Sequence, residues 1–318
     1  MADSRQAPGR SCPPDYRYPP GVFSAPPALR ADALYVVGGL YGNAFALDAV
    51  LAMARAEGAA LVFNGDFNWF DVEDEAFRDV NARVLGHAAL RGNVETEIAG
   101  EDSGAGCGCG YPDWVGDAEV ERSNAILERL RATARAHPAL RARLGALPMH
   151  LVAEVGGVRI GVVHGDAESL AGWLFSQELL ARRPERAARA LEAAPVDVFA
   201  SSHTCLPVMQ ALATARGPVL VANNGAAGMP NFRGARHGVA TRIALAPSRE
   251  ALYGCVAGGV HVEAVAVRYD HEAWLERFDR VWPAGSPAAA SYRERIVAGP
   301  GYGVADAMRI STARSRAA

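Results

Sequence analysis

The sequence runs Leu61-Val62-Phe63-Asn64-Gly65-Asp66 at the point that decides the fold. An apolar run bounded by glycine predicts a buried strand, and a carboxylate just past the C-terminal end of a strand lies where open α/β sheets bind ligands. A single Gly-Asp pair is by itself more typical of a turn or a helix N-cap. Three further apolar runs change this interpretation, because each also ends in polar side chains suited to metal. They occupy residues 90–93, 162–166 and 198–205.

Composition limits the classes of protein to which the chain can belong. Hydrophobic residues make up 50% of the 318 residues, so the chain can build a sizeable core. The formal net charge of -3 gives no general attraction to nucleic acid or anionic membrane, and no apolar segment approaches the ~20 residues of a transmembrane helix. We therefore expect neither as a partner, and the oligomeric state stays open. An odd set of five cysteines and the lack of a signal-peptide pattern predict a reducing, cytoplasmic location.

Periodicity predicts two successive βα units in the first third of the chain. Strands are expected over residues 33–37, 61–64 and 88–90, with helices over 47–58 and 73–86 between them. The intervals from Gly39 to Asp66 and from Asp66 to Asn93 are equal, as two such units would give. This arrangement would bring the three loops to one edge of a parallel sheet.

Later segments predict more strands that end in histidines. Two β-rich runs about a Gly156-Gly157 turn predict a hairpin over residues 151–163, and its second strand delivers His164. Helices are expected over 169–181 and 184–194. A strand over 196–200 then delivers His203. Further strands are expected over 218–222, 238–245 and 261–269, followed by a helix over 271–282.

The chain is expected to form one main domain between two extensions. A proline-rich tail is predicted over residues 1–30, the domain over 31–285, and a peripheral C-terminal segment over 286–318. Within the domain, residues 99–114 are too rich in glycine for regular structure, and residues 117–147 predict an amphipathic helical insert.

Four side chains of metal-ligand type stand at predicted strand ends: Asp66, Asn93, His164 and His203. A two-metal phosphoesterase needs carboxylate, amide and imidazole ligands from several loops, because ions that act on phosphate favour O and N donors. Over about residues 33–245 the sequence resembles the calcineurin-like metallophosphoesterases. In that family the motifs Asp-x-His, Gly-Asp, Gly-Asn-His-Asp/Glu, a lone His and Gly-His-x-His follow in order.

The resemblance implies a fold, an activity and a ligand set. The fold would be an α/β/β/α sandwich of two packed mixed β-sheets flanked by helices. The protein would be a metal-dependent hydrolase that cleaves a phosphomonoester or phosphodiester of a phosphorylated small molecule through a metal-bound hydroxide. It would use one or two divalent or trivalent ions, Mn, Fe or Zn. The family's second-metal ligands map onto Asp66, Asn93, His164 and His203, with Asp66 and His203 in the catalytic set.

The chain departs from the family at three motifs. Gly39-Leu40-Tyr41 replaces Asp-x-His, which removes two ligands of the first metal. Val94 stands where Gly-Asn-His-Asp has its histidine, which normally assists the leaving group. Cys205 stands where the family has the last histidine of Gly-His-x-His, so a thiol occupies that ligand position.

These departures leave alternatives open for the first metal. Cys205 is either a ligand or a small buried thiol, and Tyr41 is either a phenolate ligand or a packing residue. Cys107 and Cys109 could supply replacement thiolates from the glycine-rich loop, or be incidental there. We expect either a site with one metal or a rebuilt second site that uses these softer donors.

Some residues suggest how a substrate would be held. Arg233 follows the Asn-rich turn at residues 223–228 and is a candidate phosphate clamp. Four aromatic residues could wall a pocket, although aromatics beside a strand are usually core residues. They are Phe67, Trp69, Phe70 and Trp114.

Two other functions compete with a phosphoesterase. A degenerate member of the family would bind metal or a phosphorylated ligand without turnover, which the replaced motifs favour. A dinucleotide-binding oxidoreductase is suggested by the glycines at residues 38–42, which follow a strand and open a helix. That fingerprint is incomplete and leaves His164 and His203 unexplained.

Overall fold

The computed structural model describes residues 7–101 and 104–309. Its strands, in chain order, are β1 (Leu29–Ala31), β2 (Ala33–Val37), β3 (Ala60–Asn64), β4 (Ala88–Leu90), β5 (His150–Val155), β6 (Val158–Val163), β7 (Val198–Ser201), β8 (Val208–Thr214), β9 (Gly217–Asn223), β10 (Gly238–Ala244), β11 (Ala251–Ala257) and β12 (Val260–Val267). Its helices are α1 (Ala44–Glu57), α2 (Asp74–Val84), α3 (Asn93–Ala99), α4 (Asp117–Arg135), α5 (Pro138–Gly145), α6 (Gln177–Arg182), α7 (Pro184–Glu192), α8 (His271–Val281), α9 (Pro287–Ala298) and α10 (Val304–Ala307). None of the helices in these two ranges is both long and apolar enough to cross a membrane.

The strands form two six-stranded sheets in the part of the chain that the structure describes. One has the order β11-β12-β10-β2-β3-β4, and the other has the order β1-β5-β6-β7-β9-β8. In the first sheet β2, β3 and β4 run parallel while β10, β11 and β12 pair antiparallel. In the second sheet β6, β7 and β9 run parallel, and β5 pairs antiparallel with β6 as the predicted hairpin. Both sheets are therefore mixed, as predicted.

Alternating side chains show that the two sheets pack face to face. In β2, Leu34 and Val36 point into a core shared with the second sheet, while Tyr35 points into the core beneath α1 and α2. In β6, Val162 lies in the shared core and Val163 lies under α6 and α7. Because each sheet buries both faces, helices must cover the outer side of each. The predicted α/β/β/α sandwich is confirmed.

The sandwich brings four polar strand ends to one edge. Strands β3 and β4 are parallel neighbours in the first sheet, and β6 and β7 are parallel neighbours in the second, so each pair ends on the same side. The amide of Asn64, the last residue of β3, donates to the carbonyl of Val163, the last residue of β6, at 2.8 Å. This bond joins the two sheets where the candidate ligands emerge.

The sequence predicted a proline-rich tail over residues 1–30. From residue 7 onward the structure instead packs this segment on the sandwich. Tyr16 and Phe23 are buried, β1 pairs in parallel with β5, and the Tyr18 hydroxyl donates to the Asp166 carbonyl at 2.7 Å. The aromatic residues spaced between the prolines supply enough apolar surface to pack this segment on the sandwich. Residues 1–6 of the predicted tail lie outside the described ranges, and the domain boundaries stay a prediction.

Two other segments also differ from expectation. The C-terminal segment is not peripheral, because α9 packs on α4 and buries Ile296; residues 310–318 lie outside the description. The helix predicted over residues 169–181 forms only as α6. The segment before it is held as a loop, because the Asp166 carboxylate accepts hydrogen bonds from the backbone N–H groups of Ser169 and Leu174 at 3.1 and 3.0 Å. These bonds compete with helical ones.

Candidate metal centre

The structure brings together the four strand-end side chains that the sequence singled out. His164 Nε2 lies 3.0 Å from Asn93 Oδ1, 3.3 Å from Asp66 Oδ2 and 3.0 Å from His203 Nδ1. All four residues are buried. The ligand atoms of Asp66, His164 and His203 lie within 4.8 Å of one another. One ion could therefore reach a donor atom on every one of these side chains.

Backbone carbonyls fix which ring nitrogen of each histidine faces this centre. His164 Nδ1 lies 3.0 Å from the carbonyl oxygen of Asn64, and His203 Nε2 lies 3.0 Å from that of Cys109. A carbonyl oxygen can only accept, so these nitrogens carry the protons. His164 Nε2 and His203 Nδ1 are thereby left with their lone pairs directed at the centre, as metal ligation requires.

Asn93 is oriented in the same way. Its Nδ2 donates to the carbonyl oxygen of Cys107 at 2.9 Å, which turns Oδ1 toward His164. Asn93 begins α3 directly after β4, so its place depends on the strand end and not on a flexible loop. The centre thus gathers an amide oxygen, a carboxylate and two imidazole nitrogens.

This donor set fits a cation. With the histidine tautomers fixed, no donated proton lies between the four inward-facing atoms, so their lone pairs repel unless a positive charge sits among them. Burial lowers the pKa of His203 to about 3, with the neighbouring His164 adding to the effect. Burial is the largest single influence on His164 and acts to lower its pKa, but the charge and hydrogen bond of Asp66, the charge of Glu95 and the Asn64 carbonyl together raise that pKa. The centre therefore favours one positive charge, and mixed N and O donors suit Mn, Fe or Zn.

Glu95 holds the loops that carry Asp66 and Asn93. One of its carboxylate oxygens accepts from the backbone N–H of Asp66 at 2.7 Å and of Gly92 at 2.9 Å, and the other accepts from that of Asn68 at 3.1 Å. Burial raises the pKa of Glu95, and the charge of Asp66 adds to this. Glu95 was not among the functional residues predicted from the sequence. Its place at the acidic position of the Gly-Asn-His-Asp/Glu motif was the available signal.

Glycine is required in the Asp66 loop for steric reasons. Gly65 has a φ of +98°, and a Cβ there would lie 2.6 Å from the backbone nitrogen of Gly92 and 2.7 Å from His164 Nδ1. Asp66 itself has a φ of 51°, in the left-handed region. Because such a conformation is unfavourable for residues other than glycine, the hydrogen bond from its N–H to Glu95 helps to hold it.

A cavity of about 400 Å³ opens beside the centre and is lined by Asp66, Asn93 and His203. The basic side chain in the cavity lining is that of Arg295, from α9. Arg233, the phosphate clamp predicted from the sequence, is exposed and is not part of the lining. Of the four aromatic residues proposed as walls, two line the cavity and two are core residues. The wall residues are Trp69 and Trp114, and the core residues are Phe67 and Phe70.

Solved structures with the same architecture cover most of the chain. A hypothetical protein from Pyrococcus horikoshii OT3 is 16% identical, with a TM-score of 0.55, over 85% of this chain and 99% of its own. A metallophosphoesterase from Sphaerobacter thermophilus is 17% identical, with a TM-score of 0.53, over 84% of this chain and 100% of its own. No family model matches the sequence, and no curated protein does. The chain shares the fold of the metallophosphoesterase from Sphaerobacter thermophilus.

Tyr41 and Cys205, for which the sequence resemblance implied first-metal positions, contact each other. The Tyr41 hydroxyl lies 3.0 Å from Cys205 Sγ, and Gly39 contributes no side chain. Burial raises the pKa of both groups, which favours a neutral phenol and a neutral thiol. Asp66, His164 and His203 form the group of His, Cys, Asp and Glu side chains in residues 7–101 and 104–309 that could hold a metal ion. Cys205 lies outside this group.

A rebuilt metal site would require Cys107 and Cys109 to be free thiolates, and in this structure they are not. They are joined by a disulfide within the glycine-rich loop. The disulfide also differs from the sequence-based expectation of a reducing location, in which these cysteines would be free thiols. The two residues serve the centre through their backbone carbonyls, which accept from Asn93 and His203.

The glycines at residues 38–42, which suggested a dinucleotide site, give that hypothesis no support. Residues 38–43 are buried, and the carbonyls of Gly38 and Gly39 accept from the backbone N–H groups of Ala227 and Gly228 at 2.9 Å each. A Cβ on Gly38 would lie 2.2 Å from Ser202 Oγ. The glycines permit close packing of two loops, which explains them without a bound dinucleotide.

Proposed function

We propose that the protein is a metal-dependent phosphoesterase whose ion is held by Asp66, Asn93, His164 and His203. One observation carries the proposal. A backbone carbonyl accepts a hydrogen bond from the outer side of His164, Asn93 and His203, and this turns the lone pairs on their inner sides toward one point. Metal sites use such outer hydrogen bonds to fix ligand orientation. The metallophosphoesterase fold supports the same reaction class.

The chain's own residues can hold a phosphate ester against this centre. A bound ion supplies Lewis acidity, which neutralises charge on a phosphoryl oxygen. Asp66 and His203 line the cavity and hold the ion, so their catalytic part is ligation and not proton transfer. Arg295 reaches the same cavity, and its guanidinium suits phosphoryl oxygens. The substrate is accordingly a small phosphorylated molecule, either a phosphomonoester or a phosphodiester.

We further propose that one ion is bound per chain, and that Mn, Fe or Zn fills the site. The Tyr41–Cys205 contact supports this number, because the two side chains satisfy each other where the family places ligands of its first metal. Asp66 alone remains from that first set, and one carboxylate competes poorly with water for a divalent ion.

The test is hydrolysis of p-nitrophenyl phosphate and bis(p-nitrophenyl) phosphate by protein loaded with Mn²⁺, Fe²⁺ or Zn²⁺. We expect turnover with at least one ion, lost on chelation and restored on reloading. His164→Ala should lose both bound metal and turnover while the fold is kept. His87→Ala is the matched control, because His87 is exposed and outside the centre. Full turnover by metal-free protein, or by His164→Ala, would overturn the proposal.

A second candidate function is binding of metal and a phosphorylated ligand without turnover. Val94 favours it, because the family's leaving-group histidine is replaced by a side chain that can donate no proton. Stoichiometric metal binding, with no hydrolysis of either ester under any of the three ions, would select this alternative.

A further inference from the structure

The cavity beside the metal centre is walled largely by aromatic rings. Six aromatic side chains line it: Tyr41, Trp69, Tyr111, Trp114, Trp173 and Tyr292. Its volume of about 400 Å³ falls within the range of about 300–1,000 Å³ in which pockets bury small organic ligands. A phosphate ion alone would leave most of this apolar wall uncovered, so the wall calls for a ligand with a substantial organic part.

Trp173 links the aromatic wall to the metal centre. Its ring centroid lies 5.6 Å from that of His203, 5.9 Å from that of Tyr111 and 6.3 Å from that of Trp114. Its indole N–H donates to the carbonyl of Cys109 at 3.0 Å, which fixes the ring in place. The aromatic surface therefore begins at a metal-ligand candidate and extends outward without a break.

Trp114 ends this surface at the rim of the cavity. Its side chain is 48% exposed, which is unusual for a residue of this size, and its ring meets Trp173 edge to face at 86°. With nearly half of its surface exposed at the rim, this indole is accessible to a ligand. A planar ring stacked there would cover apolar surface and gain the attraction between aromatic faces.

Arg295 provides a cation on another wall. Its Nη2 donates to the Cys205 carbonyl at 2.6 Å and its Nε donates to the Pro230 carbonyl at 3.0 Å. Across residues 7–101 and 104–309 no carboxylate forms an ion pair with Arg295. Two carbonyls and the Asn231 amide oxygen, all neutral, hold the guanidinium. Glu119 and Glu178 of the cavity lining form no ion pair with it, so it can still bind a phosphoryl group.

From this arrangement we infer that the site takes a phosphate ester whose alcohol part carries a planar aromatic ring, of nucleoside monophosphate size. The phosphoryl group lies between the metal centre and Arg295, and the ring lies against Trp114 and Trp173. The inference rests on the proposed function, because this ester is the substrate of that reaction. Trp114 is the specificity-determining residue, since it contacts the ring and not the phosphate.

The test compares two phosphonate analogues, in which a C–P bond resists hydrolysis, on Mn²⁺-loaded protein. One is the analogue of adenosine 5′-monophosphate, and the other is the analogue of ribose 5-phosphate, which lacks the ring. Calorimetry should give a dissociation constant about tenfold lower for the adenosine analogue, as expected for one stacked base. Trp114→Ala should remove this preference while leaving the ribose analogue unchanged, and Trp114→Phe should restore most of it.

Leu245→Ala is the matched control, because Leu245 is equally exposed, at 49%, and lies outside the cavity lining. It should keep the full preference for the adenosine analogue. Equal affinity of the native protein for the two analogues, or an equal loss of both in Trp114→Ala, would overturn the inference. Hydrolysis of the p-nitrophenyl esters reports on the proposed function separately. Selective binding without any hydrolysis would overturn that function alone, and hydrolysis without selectivity would overturn this inference alone.

Discussion

The carbonyl oxygen of Cys109 accepts a hydrogen bond from His203 Nε2 at 3.0 Å. Two residues earlier, the carbonyl of Cys107 accepts from the amide of Asn93 at 2.9 Å. The disulfide between the two cysteines closes this short turn, so both acceptors belong to one constrained unit. The glycine-rich loop therefore has a definite role, because it orients two of the four candidate ligands.

The first prediction concerns this loop. The double variant Cys107→Ala, Cys109→Ala should fold but bind metal about 10–100-fold more weakly, because outer hydrogen bonds to metal ligands contribute about this much to affinity. Competitive titration against a chelating dye would measure the change. Cys255→Ala is the control, since Cys255 is a free cysteine on β11, away from the centre. Unchanged affinity in the double variant would show that the turn holds its shape without the disulfide.

The second prediction concerns Glu95. The Glu95 carboxylate accepts hydrogen bonds from the backbone N–H groups of Asp66, Gly92 and Asn68. A glutamine would place its own N–H₂ group against some of these donors, and it could not accept their hydrogen bonds. Glu95→Gln should therefore lower the free energy of unfolding by about 1–3 kcal/mol, the cost of leaving buried donors unsatisfied. It should also weaken metal binding, since the backbone of Asp66 loses its anchor. Urea unfolding alongside exposed Glu75→Gln would check this, and equal stability of the two variants would contradict it.

The fold and the four inward-facing side chains could be predicted because their signals are local. Each candidate ligand directly follows an apolar run, and parallel strands deliver their C-terminal ends to one edge. The strand-end positions of Asp66, Asn93, His164 and His203 follow from that rule. Three strands, β1, β8 and β11, were missed. Their alternate residues are partly exposed, which gives a weaker apolar pattern than a buried parallel strand.

Contacts between distant parts of the chain could not be predicted. Tyr41 and Cys205 are 164 residues apart in sequence, and Arg295 reaches the carbonyl of Cys205 across 90 residues. Both contacts depend on how α9 and the loops after β2 and β7 pack, which no local pattern specifies. Arg233 was singled out for its nearness in sequence to the turn at residues 223–228, and the structure places Arg295 in the cavity instead.

The third prediction is a pH dependence of stability that arises from Asp71. Burial raises the pKa of this carboxyl from 3.8 to about 7, and its Oδ2 has no hydrogen-bond partner in the described residues. The unfolded chain loses this proton near pH 4, whereas the folded chain keeps it until near pH 7. The folded state thus binds more protons across this window, and the carboxyl reduces stability as the pH rises through it.

The Asp71→Asn variant should not show this fall in stability with rising pH, because its side chain does not ionise. Relative to the native protein, the variant should gain about 1–4 kcal/mol in free energy of unfolding between pH 4 and pH 8, since each pKa unit corresponds to about 1.4 kcal/mol. Urea unfolding at several pH values would measure it. Asp113→Asn serves as the control, because Asp113 is exposed, and its difference from the native protein should not change with pH. A pH-independent difference for Asp71→Asn would contradict the assignment.

The last prediction concerns the number of metal ions and the thiol of Cys205. Cys205 Sγ lies beside the Tyr41 hydroxyl and outside the Asp66, His164 and His203 group, so the thiol should bind no metal. Burial raises its pKa, which favours the protonated form over the thiolate that ligation requires. We expect one ion per chain in the native protein and also in Cys205→Ser. The rate of Cys205 alkylation should be the same with and without a chelator. Two ions per chain, falling to one in Cys205→Ser with metal-dependent protection of the native thiol, would instead show that soft donors have rebuilt the first-metal site.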